Sequence, residues 1–324
     1  MNFKEKNYPI SIQEVFKAKE HVYKFLKPTK LNYYKNLSDI IGAEIYIKHE
    51  NHNIGGSFKI RGGINVIQHL KEKGVKGVIT FSTGNHGISV ATAAKLIGIN
   101  AVVVVPKGNN PIKNKAIIDA GAELIEEGNN FEEAAKVVEK LSNERNLYYV
   151  HAANEPHLIN GVGTEFLEIL DDLPDVDTVI LPIGAGSEIA AAITVLKSIN
   201  PNIEIIAVQA EDSKAAYLSW KNKIIQSSEN KTFAGGFATG AAYELPFQIY
   251  KDNLDDFIIL SEDEIKKGIA FALKYTRNLA EGAGSAPIMA AIKLKDKLKN
   301  KKVVLQMSGC NIDEKILKEV IALI

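Results

Sequence analysis

Short apolar runs alternate with longer amphipathic stretches along this 324-residue chain, and this alternation constrains the fold more than any other feature. Several runs carry Val and Ile at consecutive positions, as strands buried on both faces do. We predict strands at 44–48, 77–81, 100–105, 123–125, 177–183, 204–209, 257–260 and 302–307. The 3.6-residue apolar spacing predicts helices at 12–26, 60–73, 87–97, 111–120, 131–143, 161–170, 187–198, 263–275, 285–299 and 314–323.

Strands and helices that alternate in this way predict an α/β fold with two open, twisted, mostly parallel sheets and helices on both faces. Residues 77–152 hold about three strand–helix units between a Lys/Gly-rich turn and the polar turn at 152–156. We therefore predict a small domain at 77–152, inserted in a large domain formed by 1–76 and 153–324.

Charge and cysteine content narrow the function. Lys+Arg and Asp+Glu both number 39, so there is no electrostatic argument for a nucleic-acid or membrane partner, and we expect a small-molecule substrate. Cys310 is the only cysteine, which excludes an intrachain disulfide and fits a reducing cytoplasm. Residues 1–7 lack the apolar core of a signal peptide, and no run approaches 18 uncharged apolar residues, so we expect neither export nor a membrane span.

Lys59 stands between two pairs of glycines, in Gly55-Gly56-Ser57-Phe58-Lys59-Ile60-Arg61-Gly62-Gly63. Ser57 is a candidate N-cap, which would place Lys59 in the first turn of a helix. The partial positive charge of that turn favours the neutral amine, the form that attacks carbonyl groups. The alternative is a solvated surface lysine, which would not require glycines on both sides.

Three further segments follow predicted strands. Gly184-Ala185-Gly186-Ser187 leads from a strand into a helix, an arrangement that binds phosphate through backbone amides. It is not a dinucleotide fingerprint, because Ile189 stands where a third glycine belongs, and the chain has no Walker motif. The segment 82–87 is rich in small donors that suit a carboxylate, and Ser308 ends the last strand. Each segment alone could be an ordinary turn.

Together these segments resemble the pyridoxal-phosphate enzymes of the tryptophan-synthase-β fold (fold type II), most closely the threonine/serine dehydratase (ammonia-lyase) and serine racemase branch. The resemblance covers nearly the whole chain. Its motifs are Lys48-His49-Glu50-Asn51, Ser57-Phe58-Lys59-Ile60-Arg61-Gly62, Ser82-Thr83-Gly84-Asn85-His86, Gly184-Ala185-Gly186-Ser187, Glu281-Gly282-Ala283-Gly284 and Ser308-Gly309-Cys310-Asn311, in that order.

The resemblance implies pyridoxal 5'-phosphate as cofactor, with Lys59 as both its Schiff-base anchor and the base that removes the Cα proton. It implies that the other cofactor contacts are Phe58, Asn85, Gly184, Ala185, Gly186, Ser187, Gly236, Glu281 and Ser308. It implies that the substrate carboxylate is bound by Ser82, Thr83, Asn85 and His86. The implied reaction is dehydration and deamination of L-threonine or L-serine to a 2-oxo acid and ammonia, and the implied assembly is a homodimer.

Three positions depart from the family pattern. Racemases carry serine at the position of Thr83, where the hydroxyl serves the opposite face of Cα. Thr83 is therefore a second candidate catalytic residue that leaves racemisation possible but disfavours it, because its β-methyl group crowds the site. Gln209 and Ala215 stand where the racemase branch has carboxylate ligands for a divalent cation, so we predict no metal, although Glu211 and Asp212 keep an offset site open. Cys310 replaces a glycine, and its thiol could either narrow the site or point into the core.

Other functions stay open at this point. An amino-acid racemase acting on serine, threonine or aspartate, or a dehydratase of another β-hydroxy amino acid such as hydroxyaspartate, would use the same framework. A β-replacement enzyme of the same fold is disfavoured by the residues around Lys59. A phosphate- or nucleotide-binding module without catalysis would need only the glycine loops.

Overall fold

The computed structural model describes residues 8–129 and 131–324, so the prediction for residues 1–7 lies outside the described part of the chain. The chain divides into two compact units. Unit one contains the residues up to Lys27 together with Lys59–Thr164, and unit two contains Pro28–Phe58 and Glu165–Ile324. Each unit has its own sheet, and elements are numbered along the chain.

Unit one has a four-stranded, fully parallel sheet in the order β5-β4-β3-β6. Its strands are β3 (Gly77–Phe81), β4 (Asn100–Val105), β5 (Glu123–Glu126) and β6 (Tyr148–Tyr149). Its helices are α1 (Ile12–Val22), α3 (Lys59–Glu72), α4 (Asn85–Ile97), α5 (Pro111–Asp119), α6 (Phe131–Glu144) and α7 (Pro156–Val162).

Both faces of this sheet are covered, which explains the unbroken apolar runs of β3 and β4. Side chains alternate between the two faces of a strand. Val102 and Val104 pack in one cluster with Ala134 of α6. Val103 points the other way, because a Cβ at Gly87 of α4 would lie 3.1 Å from its Cγ1. Helices therefore flank the sheet on both sides.

Unit two has a six-stranded sheet in the order β1-β2-β10-β7-β8-β9, parallel except for β1. Its strands are β1 (Leu31–Tyr33), β2 (Glu44–His49), β7 (Thr178–Pro182), β8 (Glu204–Ala210), β9 (Asp256–Leu260) and β10 (Lys302–Met307). Its helices are α2 (Lys35–Ile41), α8 (Thr164–Asp172), α9 (Ser187–Ile199), α10 (Ala215–Asn222), α11 (Glu244–Tyr250), α12 (Glu262–Phe271), α13 (Gly282–Lys293), α14 (Lys295–Leu298) and α15 (Glu314–Ile321). The first residue of α8, Thr164, belongs to unit one.

Small residues let α13 pack closely on this sheet. Ala283, Ala286 and Ala290 are buried in one cluster with Ile180 of β7 and Leu305 of β10. A helix that presents alanines to a sheet brings the two backbones close and leaves no void for large side chains to fill. The core of unit two therefore includes the layer between α13 and the central strands β7 and β10.

The predicted fold class is confirmed: two mostly parallel sheets are flanked by helices. Several predicted helices differ. The helix predicted at 285–299 begins at Gly282 and is broken at Leu294, and the helix predicted at 263–275 ends as an α-helix at Phe271. The helix predicted at 12–26 ends at Val22, and the helix predicted at 161–170 is two helices broken at Gly163. Gly163 packs against Val15, since a Cβ there would lie 2.5 Å from Val15 Cγ2. The helix predicted at 87–97 begins two residues earlier, at Asn85.

Short elements escaped prediction, namely β1, β6, α2, α10 and α11, because runs of two to eight residues carry little periodicity. The predicted small domain at 77–152 contains all four strands of the unit-one sheet. The compact unit is larger, because α3 packs tightly on α7: a Cβ at Gly62 would lie 2.7 Å from Leu158 O. The predicted domain limits stay a prediction. Within the described ranges, no helix has the length and apolar character needed to span a membrane.

Candidate active site

Lys59 is the first residue of α3, in unit one, and its side chain is half-buried. The helix begins at Lys59, so the predicted N-cap role of Ser57 is wrong. Ser57 instead forms an antiparallel bridge with Gly309 in unit two. The residue before the helix, Phe58, is buried, and its amide donates a hydrogen bond to Ser308 O at 3.0 Å. The backbone leading to Lys59 is therefore fixed by residues that follow β10.

The predicted carboxylate loop lies at the N-terminus of α4. Gly84 is the N-cap residue, and its amide donates to Ser82 Oγ at 3.3 Å. The first amides of a helix have no partner within the helix, so those of His86 and Gly87 are available to an anion. Open space surrounds Gly84, since a Cβ there would have no atom within 4 Å. The N-terminus of α4 therefore combines backbone amides with open space, which suits a small anion.

Lys59 and this loop lie close together within unit one. Ser89, in the second turn of α4, donates from Oγ to Lys59 O at 2.6 Å. Gly63 permits the approach, because a Cβ there would overlap Ser89. Lys59 also affects a residue of this loop electrostatically. Burial, and after it the positive charge of Lys59, lowers the pKa of His86 to about 3.

His86 is neutral in this environment, which refines its predicted role. Its Nε2 lies 3.2 Å from Val150 O, and a carbonyl oxygen can only accept, so the proton is on Nε2. Nδ1 is then an acceptor, and it is buried with no partner among the described residues. A neutral imidazole adds no positive charge for a carboxylate, so the backbone amide of His86 is the group that can bind one.

The predicted phosphate loop connects β7 to α9 in unit two. Gly186 is the N-cap of α9 and has a φ of 90°, a left-handed conformation that favours glycine. Within the described chain, the amides of Gly184, Ala185 and Gly186 donate to no backbone carbonyl. A Cβ at Gly184 would overlap the carbonyl oxygen of Gly236, so these two predicted residues are in close approach.

Glu281, Gly236 and Ser308 also lie near one another in unit two. Glu281 is the N-cap residue of α13, is 8% exposed, and donates from its amide to Gly309 O at 3.0 Å. A Cβ at Gly236 would lie 3.3 Å from Glu281 Oε1. Ser308 is buried directly after β10. Glu281 is therefore buried beside the predicted cofactor contacts and not exposed as an ordinary cap.

A buried polar cluster behind these residues was not predicted. Gln306 of β10 donates from Nε2 to Glu165 Oε1 at 2.9 Å and contacts Glu188 of α9. All three side chains are buried. Alternation along β10 places Gln306 on the same side as Ser308, two residues later. A glutamine in the middle of an apolar strand is unusual, and its position two residues before Ser308 was the sequence signal that could have indicated this cluster.

Cys310 points toward the loop that follows β2. Its Sγ lies 3.4 Å from Asn51 O, and a Cβ at Gly56 would lie 2.9 Å from this sulfur. Burial and then the negative charge of Glu281 raise the pKa of the thiol. The thiol is therefore protonated at neutral pH and packs as a small apolar group.

The segment predicted to lack a cation site carries few oxygen ligands. Gln209 is buried and its Oε1 accepts from the amide of Tyr217 at 3.1 Å. Glu211 and Asp212 are exposed on a short 3-10 turn. In the described ranges, no group of three or more His, Cys, Asp and Glu side chains is arranged to hold a metal ion. The absence of a metal stays a prediction.

Comparison with known proteins places the chain in a family. The profile described as "pyridoxal-phosphate dependent enzyme" matches residues 22–309. The chain is a member of this family. Its pyridoxal-phosphate cofactor was predicted from the motifs, and the match confirms both the cofactor and the predicted family resemblance.

The relatives of this pyridoxal-phosphate enzyme cover most of its length. An L-threonine ammonia-lyase of Thermotoga maritima is 37% identical over 314 residues, which are 96% of this chain and 78% of that protein. A catabolic L-threonine dehydratase of Staphylococcus aureus is 38% identical over 94% of this chain and 90% of that protein. Among solved structures, maize serine racemase matches with a TM-score of 0.91 at 27% identity, covering 98% of both chains. The processed form of threonine deaminase isoform 2 from Solanum lycopersicum matches with a TM-score of 0.89 at 32% identity, covering 98% of this chain and 95% of that one.

The residues present fit the cofactor of this family. The loop at 184–187 offers backbone amides for a phosphate, and Gly184 and Gly236 approach too closely for any side chain at 184. Ser308, buried directly after β10, has a hydroxyl that suits a pyridine nitrogen. Lys59 supplies the amine at a helix start.

Proposed function

We propose that this pyridoxal-phosphate enzyme is an ammonia-lyase that converts L-threonine or L-serine to a 2-oxo acid and ammonia. The observation that carries the proposal is the proximity within unit one of Lys59 to the N-terminus of α4, where the first-turn amides of His86 and Gly87 face a loop of small polar residues. A base held beside a carboxylate-binding loop is what abstraction of a proton next to that carboxylate requires. The threonine ammonia-lyase and dehydratase names of relatives at 37–38% identity support the same reaction.

The cofactor, when bound, withdraws electrons from the bond between Cα and its proton. In the proposal Lys59 anchors it, Gly184, Ala185, Gly186 and Ser187 hold its phosphate, and Ser308 hydrogen-bonds its ring nitrogen. Phe58, Asn85, Gly236 and Glu281 complete its surroundings. A neutral hydroxyl at Ser308 leaves the ring nitrogen largely unprotonated, which favours rapid loss of the β-hydroxyl over storage of a carbanion.

The other residues orient the amino acid. The hydroxyls of Ser82 and Thr83 and the amides that begin α4 bind the carboxylate, so that the Cα proton faces Lys59. The positive end of α4 assists, because an anion at a helix N-terminus is stabilised by about 0.3–1 kcal/mol. Lys59 takes the proton as a neutral amine.

Two measurements test the proposal separately. Borohydride reduction followed by peptide mass spectrometry should place a phosphopyridoxyl adduct on Lys59, and the absence of an adduct would refute the assignment of the anchor. Incubation with L-threonine and with L-serine should yield 2-oxo acid in a dehydrogenase-coupled assay. Bound cofactor with no turnover of either amino acid would refute the substrates while leaving the anchor intact. Lys59→Ala should abolish turnover, whereas Lys76→Ala, at an exposed position of the same unit, should not.

A racemase is the second candidate, favoured by the TM-score of 0.91 with maize serine racemase and by the hydroxyl of Thr83. Racemisation needs a second acid–base group on the opposite face of Cα, and Thr83 is the candidate for it. Chiral chromatography of the remaining serine separates the two activities. Thr83→Ala should spare 2-oxo acid formation and abolish any D-serine, and unchanged D-serine would exclude Thr83 as the second group.

We also propose that the protein is a homodimer in the cytoplasm. The dimer follows from the resemblance to the dehydratase and racemase branch, and the compartment from the single thiol, Cys310. Light scattering coupled to size exclusion measures the assembly, and a monomeric mass would contradict it.

A further inference from the structure

A cavity of about 230 Å³ lies among α1, α3 and α7 of unit one. None of the predicted site residues lines it. A chamber of this size admits several waters or a molecule of a few non-hydrogen atoms, and it is smaller than the 300–1,000 Å³ typical of drug-sized ligands.

One wall of the cavity is a stack of three rings. The ring of His157 lies 4.0 Å from the ring of Tyr8 and 3.6 Å from the ring of His69, measured between centroids. His157 is buried and is the second residue of α7, whereas His69 lies in α3. The three rings form one continuous aromatic wall of the cavity.

A buried amide oxygen on the cavity wall has no hydrogen-bond donor. Asn160 is 1% exposed, and its Nδ2 donates to Pro9 O at 3.0 Å. Its Oδ1 accepts from no described residue. Asn65 on the same wall is different, because its Oδ1 lies 2.8 Å from His21 Nδ1 and its Nδ2 donates to His157 O at 2.7 Å. A buried carbonyl oxygen without a donor costs free energy, which a ligand carrying N–H or O–H groups would recover.

Carboxylates surround the same space. Glu14 and Glu20 of α1 line it, and Glu72 of α3 lies 3.5 Å from His21 Nε2. Burial opposes ionisation of Glu14, but hydrogen bonds from Lys17 and Tyr8 outweigh it and lower its pKa. The hydrogen bond from Gln68 lowers the pKa of Glu72. Lys17 stands at the exposed rim and is already paired with Glu14 at 2.7 Å. The cavity therefore favours a positive ligand.

We propose that this cavity binds a small protonated amine, either ammonium or a primary alkylammonium ion. The N–H groups of such a ligand donate to Asn160 Oδ1, and its charge faces Glu14 and Glu20. An anion would meet these carboxylates instead. A metal ion is disfavoured, since no ligand group for one is arranged in the described ranges. The proposal does not rest on the proposed reaction, because it concerns binding alone.

Saturation-transfer NMR of methylammonium with the cofactor-loaded protein tests the proposal. We expect a saturable signal that ammonium displaces and that tetramethylammonium, which has no N–H, does not. The cofactor's absorbance recorded in the same titration separates this binding from amine exchange at Lys59. A signal that does not saturate would mean that the cavity holds water only, and equal competition by tetramethylammonium would mean that charge alone acts. Either outcome overturns the proposal.

Variants locate the site. Asn160→Ala removes the unused acceptor and should weaken methylammonium binding about tenfold, the effect of losing a hydrogen bond to a charged group. Glu20→Gln, at an exposed position that folding does not depend on, should weaken binding less and only at low salt. Glu139→Gln, exposed on α6 of the same unit, is the matched control and should bind as the wild type does. Unchanged affinity in both Asn160→Ala and Glu20→Gln would overturn the assignment.

Discussion

Gly236 is the position where one added methyl group tests the cofactor site most directly. A Cβ there would lie 2.6 Å from Ala283 Cβ, whereas carbon atoms in contact prefer about 3.5–4.0 Å. The overlap of roughly 1 Å cannot be relieved by a rotamer change, because Ala283 has no further side-chain torsion. The exposed turn at Gly236 must move away from α13, and its carbonyl oxygen then moves relative to Gly184 of the phosphate loop.

Overpacking of this kind costs about 1–3 kcal/mol. If this free-energy cost destabilises the cofactor-bound protein and not the apoprotein, the apparent Kd for pyridoxal phosphate rises about 5- to 150-fold. We expect Gly236→Ala to show this loss in an absorbance titration of the apoprotein, with a smaller change in the midpoint of urea unfolding. Gly240→Ala is the matched control, since its Cβ would meet nothing nearer than Ser228 O at 3.9 Å.

Two outcomes would refute this reasoning. An unchanged Kd in Gly236→Ala would mean that the turn moves without disturbing the phosphate loop. An equal loss in Gly240→Ala would mean that the whole segment is sensitive to any added side chain, and that the contact with Ala283 is not the cause.

Three further predictions concern ionisable side chains that are buried or half-buried. Lys48→Met should destabilise unit two by about 3–5 kcal/mol in urea unfolding, because it leaves Glu168, 2.6 Å away, buried without its cation. Lys35→Met, which breaks the exposed pair with Asp39, should change stability far less. The pKa of His86 is about 3 in the folded protein and 6.5 in the unfolded protein. The neutral side chain therefore contributes fully to folding stability above pH 6.5, and this contribution is lost toward pH 3 at about 1.4 kcal/mol per pH unit. In urea unfolding, His86→Gln should show a shallower decline of stability between about pH 6.5 and 5. Iodoacetamide should alkylate Cys310 more slowly in the folded protein than in the urea-unfolded protein at pH 8, and a faster reaction when folded would contradict the raised pKa of its thiol.

Much of the fold could be predicted from the sequence because the central strands are buried on both faces. β3, β4 and β10 begin and end at the predicted residues, since consecutive Val and Ile mark such strands unambiguously. The start of α4 could not be placed, because Asn85 and His86 are turn-forming residues that also serve in a first helical turn. Ser57 resembled an N-cap for a similar reason, yet a bridge to Gly309 uses its backbone instead.

The candidate site could be predicted only where its residues form local motifs. Gly184, Lys59 and Ser82 were found because glycines and small donors cluster around them in the sequence. Asn160 could not be found, because its importance depends on an oxygen that lacks a donor after folding. No property of the neighbouring sequence reveals such a deficit.

The cluster of Gln306, Glu165 and Glu188 links the end of β10 to the start of α9 through one side chain. Gln306 lies two residues before Ser308, and Glu188 is the second residue of α9, directly after the phosphate loop. One amide group in contact with both carboxylates therefore ties the strand that ends at Ser308 to the helix that begins at the loop. Because a buried hydrogen bond contributes about 0.5–1.5 kcal/mol, this tie resists relative movement of the two segments. The positions of Ser308 and of the loop are thus set together, by residues that contact neither a substrate nor a cofactor in the proposed mechanism.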